Sequence, residues 1–198
     1  DSSRGGDDGS AYGSSTNPVQ LGSSGGNADT IGGDAGEGGG LALITVTGTT
    51  TIDGSITSNG IDGISDGNDG SGGGSGGAIN LTTGGLEGTG SVTANGGVGN
   101  DSLSEDGGGG SGGRIAIRYS TGSTDNFVMQ AYGGTAAGVI YNNDGAAGTI
   151  FTKSGAETAG TLTINNNDIV AVQETPLMTS STFDTLVVAS SSIFVVPT

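Results

Sequence analysis

The clearest pattern in the chain is the alternation of apolar and small polar residues over short runs that are bordered by glycine. Such alternating pairs are Leu41/Leu43, Ile79/Leu81, Ile115/Ile117 and Leu162/Ile164. A period of two, with β-branched residues inside the run and Gly, Asn or Asp at its borders, predicts half-buried β-strands. No apolar stripe with the helical period of 3.6 residues occurs, so we expect essentially no helix.

The runs recur at a regular spacing along the chain. Four blocks align, at residues 39–44, 76–81, 112–117 and 147–151. The second residue of each block is a glycine, and these glycines are 37, 36 and 35 positions apart. A second apolar block follows each of the first three, at residues 54–60, 90–96 and 127–133. The sequence therefore predicts units of about 36 residues, each with two strands and an acidic, glycine-rich loop.

One such unit has too few apolar side chains to bury a core alone. When units stack, each Ile or Val covers its counterpart in the next unit, and every strand edge is paired except at the two ends. We therefore expect an all-β fold, a right-handed parallel β-helix (solenoid) with long Gly/Asp-rich loops. Glycine pairs are expected at its corners, where neighbouring units approach closely.

The repeat does not cover the whole chain. We expect residues 1–35 to form a Gly/Ser-rich arm or loops, residues 36–155 to form the glycine-rich repeats, and residues 156–198 to form denser strands. This last part would act as a cap or as an inter-subunit strand. Residues 65–76 and 99–112 are expected to be loops that emerge on one face. Further strands are expected at residues 161–165, 169–173, 183–189 and 193–196.

Composition restricts the classes of function. The 198 residues include 45 Gly, no Cys and no His, and 20 acidic against 4 basic residues give a formal charge of −16. Phosphate binding needs Lys and Arg, so nucleic acid is not expected as a partner, and no apolar run is long enough for a membrane span. The charge and the lack of cysteine favour a microbial cell exterior, where calcium can offset self-repulsion. Since the chain begins at Asp1, we expect a processed or excised piece without its export signal.

Two motifs carry a family resemblance. The string GGGSGGAINL at residues 72–81 returns as GGGSGGRIAI at residues 108–117, and residues 86–97 read LEGTGSVTANGG. These strings resemble the glycine-rich parallel β-helix arrays of giant bacterial surface proteins and adhesins, over roughly residues 36–155. The resemblance implies an extracellular, repetitive protein with a structural or adhesive role, and it transfers no catalytic residues.

Two acidic loops are candidate calcium sites. Their oxygen-bearing residues are Asp62, Asp66, Asn68 and Asp69 in one loop, and Asn100, Asp101, Glu105 and Asp106 in the loop one unit later. Stacked loops would bring these side chains together, and calcium prefers six to eight oxygen ligands. Residues 96–104 also match the G-G-x-G-x-D-x-U-x calcium nonapeptide once. The alternative is that these residues are solvated turn residues.

Enzymatic activity is not expected. Acid–base catalysis by carboxylates requires perturbed groups in a cleft, and the glycine run at residues 107–113 lacks the Lys-Ser/Thr of a phosphate-binding loop. Two functions remain open. The first is a structural protein, a rigid segment or fibre subunit whose partners are neighbouring repeats or copies of itself, joined end to end or by strand exchange. The second is a calcium-dependent adhesin that binds a surface glycan. We favour the structural function.

Overall fold

A computed structural model describes residues 13–28, 33–64, 69–102, 106–138, 143–171, 173–177 and 181–196. These residues form the strands β1 (Leu41–Thr51), β2 (Ser55–Thr57), β3 (Ala78–Glu87), β4 (Ser91–Thr93), β5 (Arg114–Gly122), β6 (Val128–Gln130), β7 (Thr149–Lys153), β8 (Thr161–Asn165), β9 (Thr175–Pro176), β10 (Thr185–Ala189) and β11 (Phe194–Val195). Within these ranges no helix occurs, and hence none that could cross a membrane. The prediction of an all-β chain is confirmed.

Most strands belong to two stacks of parallel strands. The larger sheet has the order β1-β3-β5-β7-β8-β10, and the smaller one the order β2-β4-β6. In the larger sheet Ala78 pairs with Leu41, Arg114 with Ala78, and Thr149 with Arg114, which are offsets of 37, 36 and 35 residues. The aligned blocks of the sequence therefore lie side by side, parallel and in register. The direction reverses at β8, which pairs antiparallel with β7.

A narrow apolar column lies between the two stacks of strands. Its larger buried members are Ile52, Ile79, Leu81, Leu86, Val92, Ile115, Ile117 and Ile150. Ile79, Ile115 and Ile150 occupy paired positions on neighbouring strands, so each isoleucine covers the next. Full burial of such a side chain contributes roughly 1.5–3 kcal/mol. One column of this kind therefore provides a core although large apolar residues are scarce.

The opposite face of the larger sheet is also partly buried, which strand alternation alone does not predict. Ala116 and Phe151 lie on this face and belong to a second apolar cluster. Its other members are Ala147 and, from the C-terminal part, Leu162, Ile164, Leu177, Phe183 and Phe194. Asn80 is 4% exposed there, and its Nδ2 donates to the Asn17 side-chain oxygen (2.9 Å) and to the Pro18 carbonyl (3.2 Å). Segments from both ends of the chain thus cover this face.

The glycine-rich segments form two hydrogen-bonded layers next to the strands. Layer A consists of residues 33–40, 70–77, 106–113 and 143–148, and layer B of residues 58–64, 94–100 and 131–137. Neighbours within layer A run parallel, as Gly73 N–H donates to the Gly108 carbonyl (3.0 Å). The two layers run antiparallel, as Gly74 N–H donates to the Ile61 carbonyl (2.9 Å) and Gly77 N–H to the Ser58 carbonyl (2.7 Å).

The hydrogen bonds of residues 72–77 change direction at every residue. The first and fourth N–H groups of this hexapeptide donate to residues 23–26, the second and fifth to the next layer A segment, and the third and sixth to layer B. Three directions that recur every third residue are typical of the polyproline II helix, which has three residues per turn and no internal hydrogen bonds. None of the six residues has a positive φ. Glycine is therefore needed here for close approach, not for a left-handed backbone.

Close approach leaves no room for side chains between the segments. A Cβ on Gly74 would overlap the carbonyl oxygen of Glu37, and one on Gly110 would overlap that of Gly74. A Cβ on Gly54, in contrast, would meet no atom within 4 Å. The expected loops at residues 65–76 and 99–112 are, in their described parts, mostly packed layer segments. Glycine is required along their length and not only at corners.

The C-terminal strands differ from the prediction in one place. Strands β8, β10 and β11 lie where strands were expected. The described residues of the expected strand at 169–173 form none, because Asn167 (φ 50°) and Asp168 (φ 62°) make a left-handed turn just before it. The Ile169 N–H closes this turn by donating to the Asn166 carbonyl (2.9 Å). A short strand that the sequence pattern missed, β9, follows at Thr175–Pro176.

The packing of the layers predicts that substitutions of Gly110 and Gly54 change the stability of the protein by different amounts. We expect Gly110→Ala to destabilise the protein by about 3 kcal/mol, because overpacking against a fixed backbone costs at least the usual 1–3 kcal/mol. For a domain of this size Tm should fall by roughly 6–12 °C. Gly54→Ala should shift Tm by less than about 2 °C. Differential scanning calorimetry of both variants checks this, and equal shifts would contradict the close packing.

Candidate functional site

Two of the predicted calcium residues lie on neighbouring layer B segments. Asp62 belongs to residues 58–64, and Asn100 ends the next segment at residues 94–100. The Asn100 side chain donates to the Gly63 carbonyl (3.2 Å), so the two predicted loops touch at this point. Asp66, Asn68 and Glu105 lie outside the described residues.

Three of the remaining predicted ligands, Asp69, Asp101 and Asp106, belong to the described residues. Asp69 and Asp106 are partly buried and Asp101 is exposed. Within the described part of the chain, no three or more Asp or Glu residues come together in a group that could hold a metal ion. Since Asp66 and Glu105 fall in the gaps between the described ranges, calcium binding stays a prediction.

The described geometry gives Asp62 a structural role. Its Oδ1 accepts the backbone N–H of Val98 (2.7 Å), 36 residues later and one unit along the stack. Three other side-chain oxygens accept an N–H of the next unit in the same way: Asn59 from Asn95 (2.8 Å), Asp53 from Thr89 (3.2 Å) and Asn95 from Tyr132 (2.9 Å). We call these four residues the Asx ladder. The ladder provides acceptors for N–H groups that the layers leave unpaired.

A polar groove of about 530 Å³ lies beside β5, β7 and β8. Its walls carry hydroxyl groups, two carboxylates and one aromatic ring, contributed by Ser123, Thr152, Thr163, Asp125, Glu157 and Tyr119. Such a mixture of polar groups around an aromatic ring suits hydrogen bonding to a polar ligand such as a sugar. The groove is the place in the described structure that fits the glycan-binding alternative.

Glu157 is a fixed hydrogen-bond acceptor at this groove. The Ser154 N–H donates to its Oε2 (2.6 Å) and the Thr161 hydroxyl to its Oε1 (3.1 Å). The backbone hydrogen bond from Ser154 holds the pKa of Glu157 below its ordinary value of 4.5, although desolvation and the charge of Asp184 oppose this shift. The carboxylate is therefore ionised and held in place at neutral pH.

Asp184 ties β10 to the turn before β8. Its Oδ2 accepts the N–H groups of Ala159 and Gly160, both at 2.8 Å. These two backbone hydrogen bonds, Ala159 first, lower the pKa of Asp184 below its ordinary value of 3.8. The ionised carboxylate thus holds together two segments of the C-terminal part.

The cation Arg118 is used in packing. It pairs in register with Lys153 on β7, its guanidinium lies 5.2 Å from the centre of the Phe151 ring, and it donates to the Asn80 side chain (3.3 Å). Burial lowers the pKa of Arg118 from its ordinary value. A cation over an aromatic face contributes about 0.5–2 kcal/mol. Arg118 therefore covers one end of the second apolar cluster.

Comparison of the chain with protein-family models, with curated proteins and with solved structures found no significant match. The site is therefore defined by its own geometry. Sequence reasoning singled out Asp62 and Asn100 as candidate calcium ligands, which stays a prediction, and it missed the Asx ladder. The available signal was that each acceptor stands one repeat before its donor. Asn59 precedes Asn95 by 36 residues, and Asp62 precedes Val98 by the same distance.

Substitutions of Asp62 separate its structural role from calcium binding. Asp62→Ala removes the acceptor for the Val98 N–H, and we expect a loss of about 1 kcal/mol, or roughly 2–4 °C in Tm. Asp62→Asn keeps an acceptor oxygen and should melt within about 1 °C of the wild type. Thermal melts in calcium and in chelator check both roles. A calcium-induced rise in Tm that disappears in Asp62→Asn would identify Asp62 as a ligand instead.

Acid should weaken the C-terminal part in a defined pH range. The pKa values of Asp184 and Glu157 are lowered in the folded state, so their stabilisation is complete above the unfolded-state values. It is lost as pH falls from about 5 through the lowered folded pKa values. We expect Asp184→Asn to reduce Tm at pH 7 and to flatten its fall below pH 5. The exposed Asp101→Asn serves as the control, and an equal flattening there would contradict the assignment.

Proposed function

We propose that the chain is a segment of a right-handed parallel β-solenoid and serves as an extracellular structural protein of a microbial cell surface, as a rigid segment or a self-assembling fibre subunit. The observation that carries this proposal is that neighbouring units are hydrogen-bonded to each other through both sets of strands and through the described glycine segments. The bonds run through the β1-β3-β5-β7 strands, through the β2-β4-β6 strands, and through the glycine layers.

Such continuous bonding favours a mechanical role over a binding role. Most contacts between units are made by backbone atoms and recur from unit to unit, whereas the polar groove is built from the particular side chains beside β5, β7 and β8. Backbone hydrogen bonds between parallel segments do not depend on particular side chains. A stack of this kind can therefore be lengthened by adding units without a new interface.

The charge and the exposed strand edge support an assembly outside the cell. A formal charge of −16 keeps single chains soluble and is offset by divalent cations, which are abundant there. Among the described residues, β1 has a strand partner on one side only. Leu41 and Leu43 on this strand are 40% and 64% exposed. An unpaired edge with exposed apolar residues is a template for a further strand.

Self-association through the β1 edge tests the structural function. We expect the wild type to form larger species between about 1 and 100 µM in sedimentation velocity, with filaments in negative-stain electron micrographs. Leu43→Lys should suppress them, because charged residues on an edge strand oppose further pairing. Thr89→Lys, an exposed turn residue, adds the same charge and should assemble normally. A wild type that stays monomeric throughout this range contradicts self-assembly.

A further inference from the structure

The same hexapeptide, GGGSGG, occurs twice in layer A. Residues 72–77 and residues 108–113 have this sequence and lie on neighbouring segments. In both copies the second, third, fifth and sixth N–H groups donate to the next layer A segment or to layer B. The two copies differ at the first and fourth residues, whose N–H groups face away from both layers.

In the first copy this outer face is occupied by an extended segment, residues 22–26. The Gly72 N–H donates to the Gly26 carbonyl and the Ser75 N–H to the Ser23 carbonyl, both at 2.9 Å. The seated segment donates in return to the preceding layer A segment. The Gly22 N–H donates to the Gly39 carbonyl (2.8 Å), and the Gly25 N–H donates to the Gly36 carbonyl (2.9 Å). Four backbone hydrogen bonds thus seat it, antiparallel, in the groove between two layer A segments.

In the second copy the equivalent groove lacks an occupant within the described part of the chain. The N–H groups of Gly108 and Ser111 donate to none of the described residues, and the carbonyls of Gly73 and Gly76 accept from none. These four groups correspond one by one to those that hold residues 22–26. Ser111 is exposed, whereas the hydroxyl of its counterpart Ser75 accepts the Ser23 N–H (2.7 Å).

The space on this face differs in the same way. A Cβ on Gly72 would lie 3.1 Å from the backbone nitrogen of Gly26, which belongs to the seated segment. Among the described residues, a Cβ on Gly108 would have only Asn143 nearby, at 3.4 Å or more. No described residue therefore fills beside the second hexapeptide the position that residues 22–26 fill beside the first.

We propose that the groove between residues 72–77 and 108–113 is a docking site for an extended glycine- and serine-rich segment of another protein. This segment would be seated as residues 22–26 are seated next to it, and residues 22–26 themselves are already bound within their own chain. The site continues an interface that the chain already makes, one unit further along. It goes beyond the structural function, because it names a lateral partner and does not use the β1 edge.

The seated segment defines what the partner must look like. A Cβ on Gly22 would overlap the Ser75 carbonyl, and one on Gly25 would overlap the Gly72 carbonyl. The partner therefore needs glycine at every third position, with an N–H at each of them. Proline-rich segments adopt the same extended helix but lack the N–H groups. Residues 22–25, Gly-Ser-Ser-Gly, are the minimal pattern.

The test is a titration of the ¹⁵N-labelled full chain with a synthetic peptide of residues 19–28, VQLGSSGGNA, followed by NMR. We expect shift changes at the Gly108 and Ser111 amides, and slower hydrogen exchange of these two amides on binding. The matched control peptide VQLASSAGNA, with alanine at the two contact glycines, should cause neither change. Shift changes of equal size with both peptides would overturn the proposed selectivity.

A variant that fills the groove checks the location. Gly108→Leu places its side chain where the partner would lie without overlapping a described atom at Cβ, so it should keep the wild-type Tm and lose peptide binding at least tenfold. Gly54→Leu, in open space elsewhere, should bind normally. The proposal would be overturned if millimolar peptide caused no shift changes. It would also be overturned if, without peptide, the Gly108 and Ser111 amides were already as protected from hydrogen exchange as the Gly109 amide.

Sedimentation checks that the partner segment comes from another protein. Peptide binding without lateral self-association of the wild type is the expected result, because residues 22–26 of each copy are already seated in their own chain. Lateral association that Gly108→Leu reduces and Leu43→Lys leaves unchanged would show that a second copy fills the groove, and would overturn this assignment. Failure of β1-edge assembly with intact peptide binding would remove the proposed structural function and keep this site, so the two can fail separately.

Discussion

The structure depends on one constraint, the need of every buried backbone N–H and carbonyl for a partner. In the glycine layers this need is met between segments, in three directions, because a polyproline II helix makes no internal hydrogen bonds. Segments can approach closely enough for these bonds only where no Cβ intervenes, as at Gly74 and Gly110. Each glycine costs about 0.5–1 kcal/mol in chain entropy, and a net hydrogen bond of about 0.5–1.5 kcal/mol is of the size needed to offset it.

Side chains with chemistry are consequently confined to the outside of the layers and to the strands. The interior of the layers offers backbone and a few small side chains such as the buried Ser71. The apolar column built on Ile79, Ile115 and Ile150 fills the space between the sheets. Three members of the Asx ladder, Asn59, Asp62 and Asn95, lie in layer B and join units there. Asp53 does the same between β1 and β2. A partner or ligand would therefore meet the edges, the grooves and the outer surface, and the proposed assembly role uses these places.

Strands β3 and β5 could be predicted from the sequence because apolar alternation has a period that burial enforces. In β1 the alternating Leu41 and Leu43 are exposed instead, and Ala42 and Ile44 pack against the apolar column. The spacing of 37, 36 and 35 residues between the aligned blocks is the register of the larger sheet. The layers could not be predicted in the same way, since a period of three among small residues leaves no hydrophobic signal and looks like a flexible linker. Burial of Asn80 by residues 17 and 18 depends on a contact more than 60 positions apart in sequence, which local pattern does not contain.

The hydrogen bonds of the Asx ladder do not depend on the negative charge of its carboxylates. Asp53 and Asp62 accept a backbone N–H of the next unit as Asn59 and Asn95 do, with neutral and ionised side chains in equivalent roles. The ladder needs an acceptor oxygen, and it does not need a charge. Most of the formal charge of −16 therefore lies beyond what the described hydrogen bonds require, apart from carboxylates such as Asp184 that bind two N–H groups. The carboxylates that make no described hydrogen bond oppose the compact state through mutual repulsion. In the proposed function, divalent cations outside the cell would offset this repulsion.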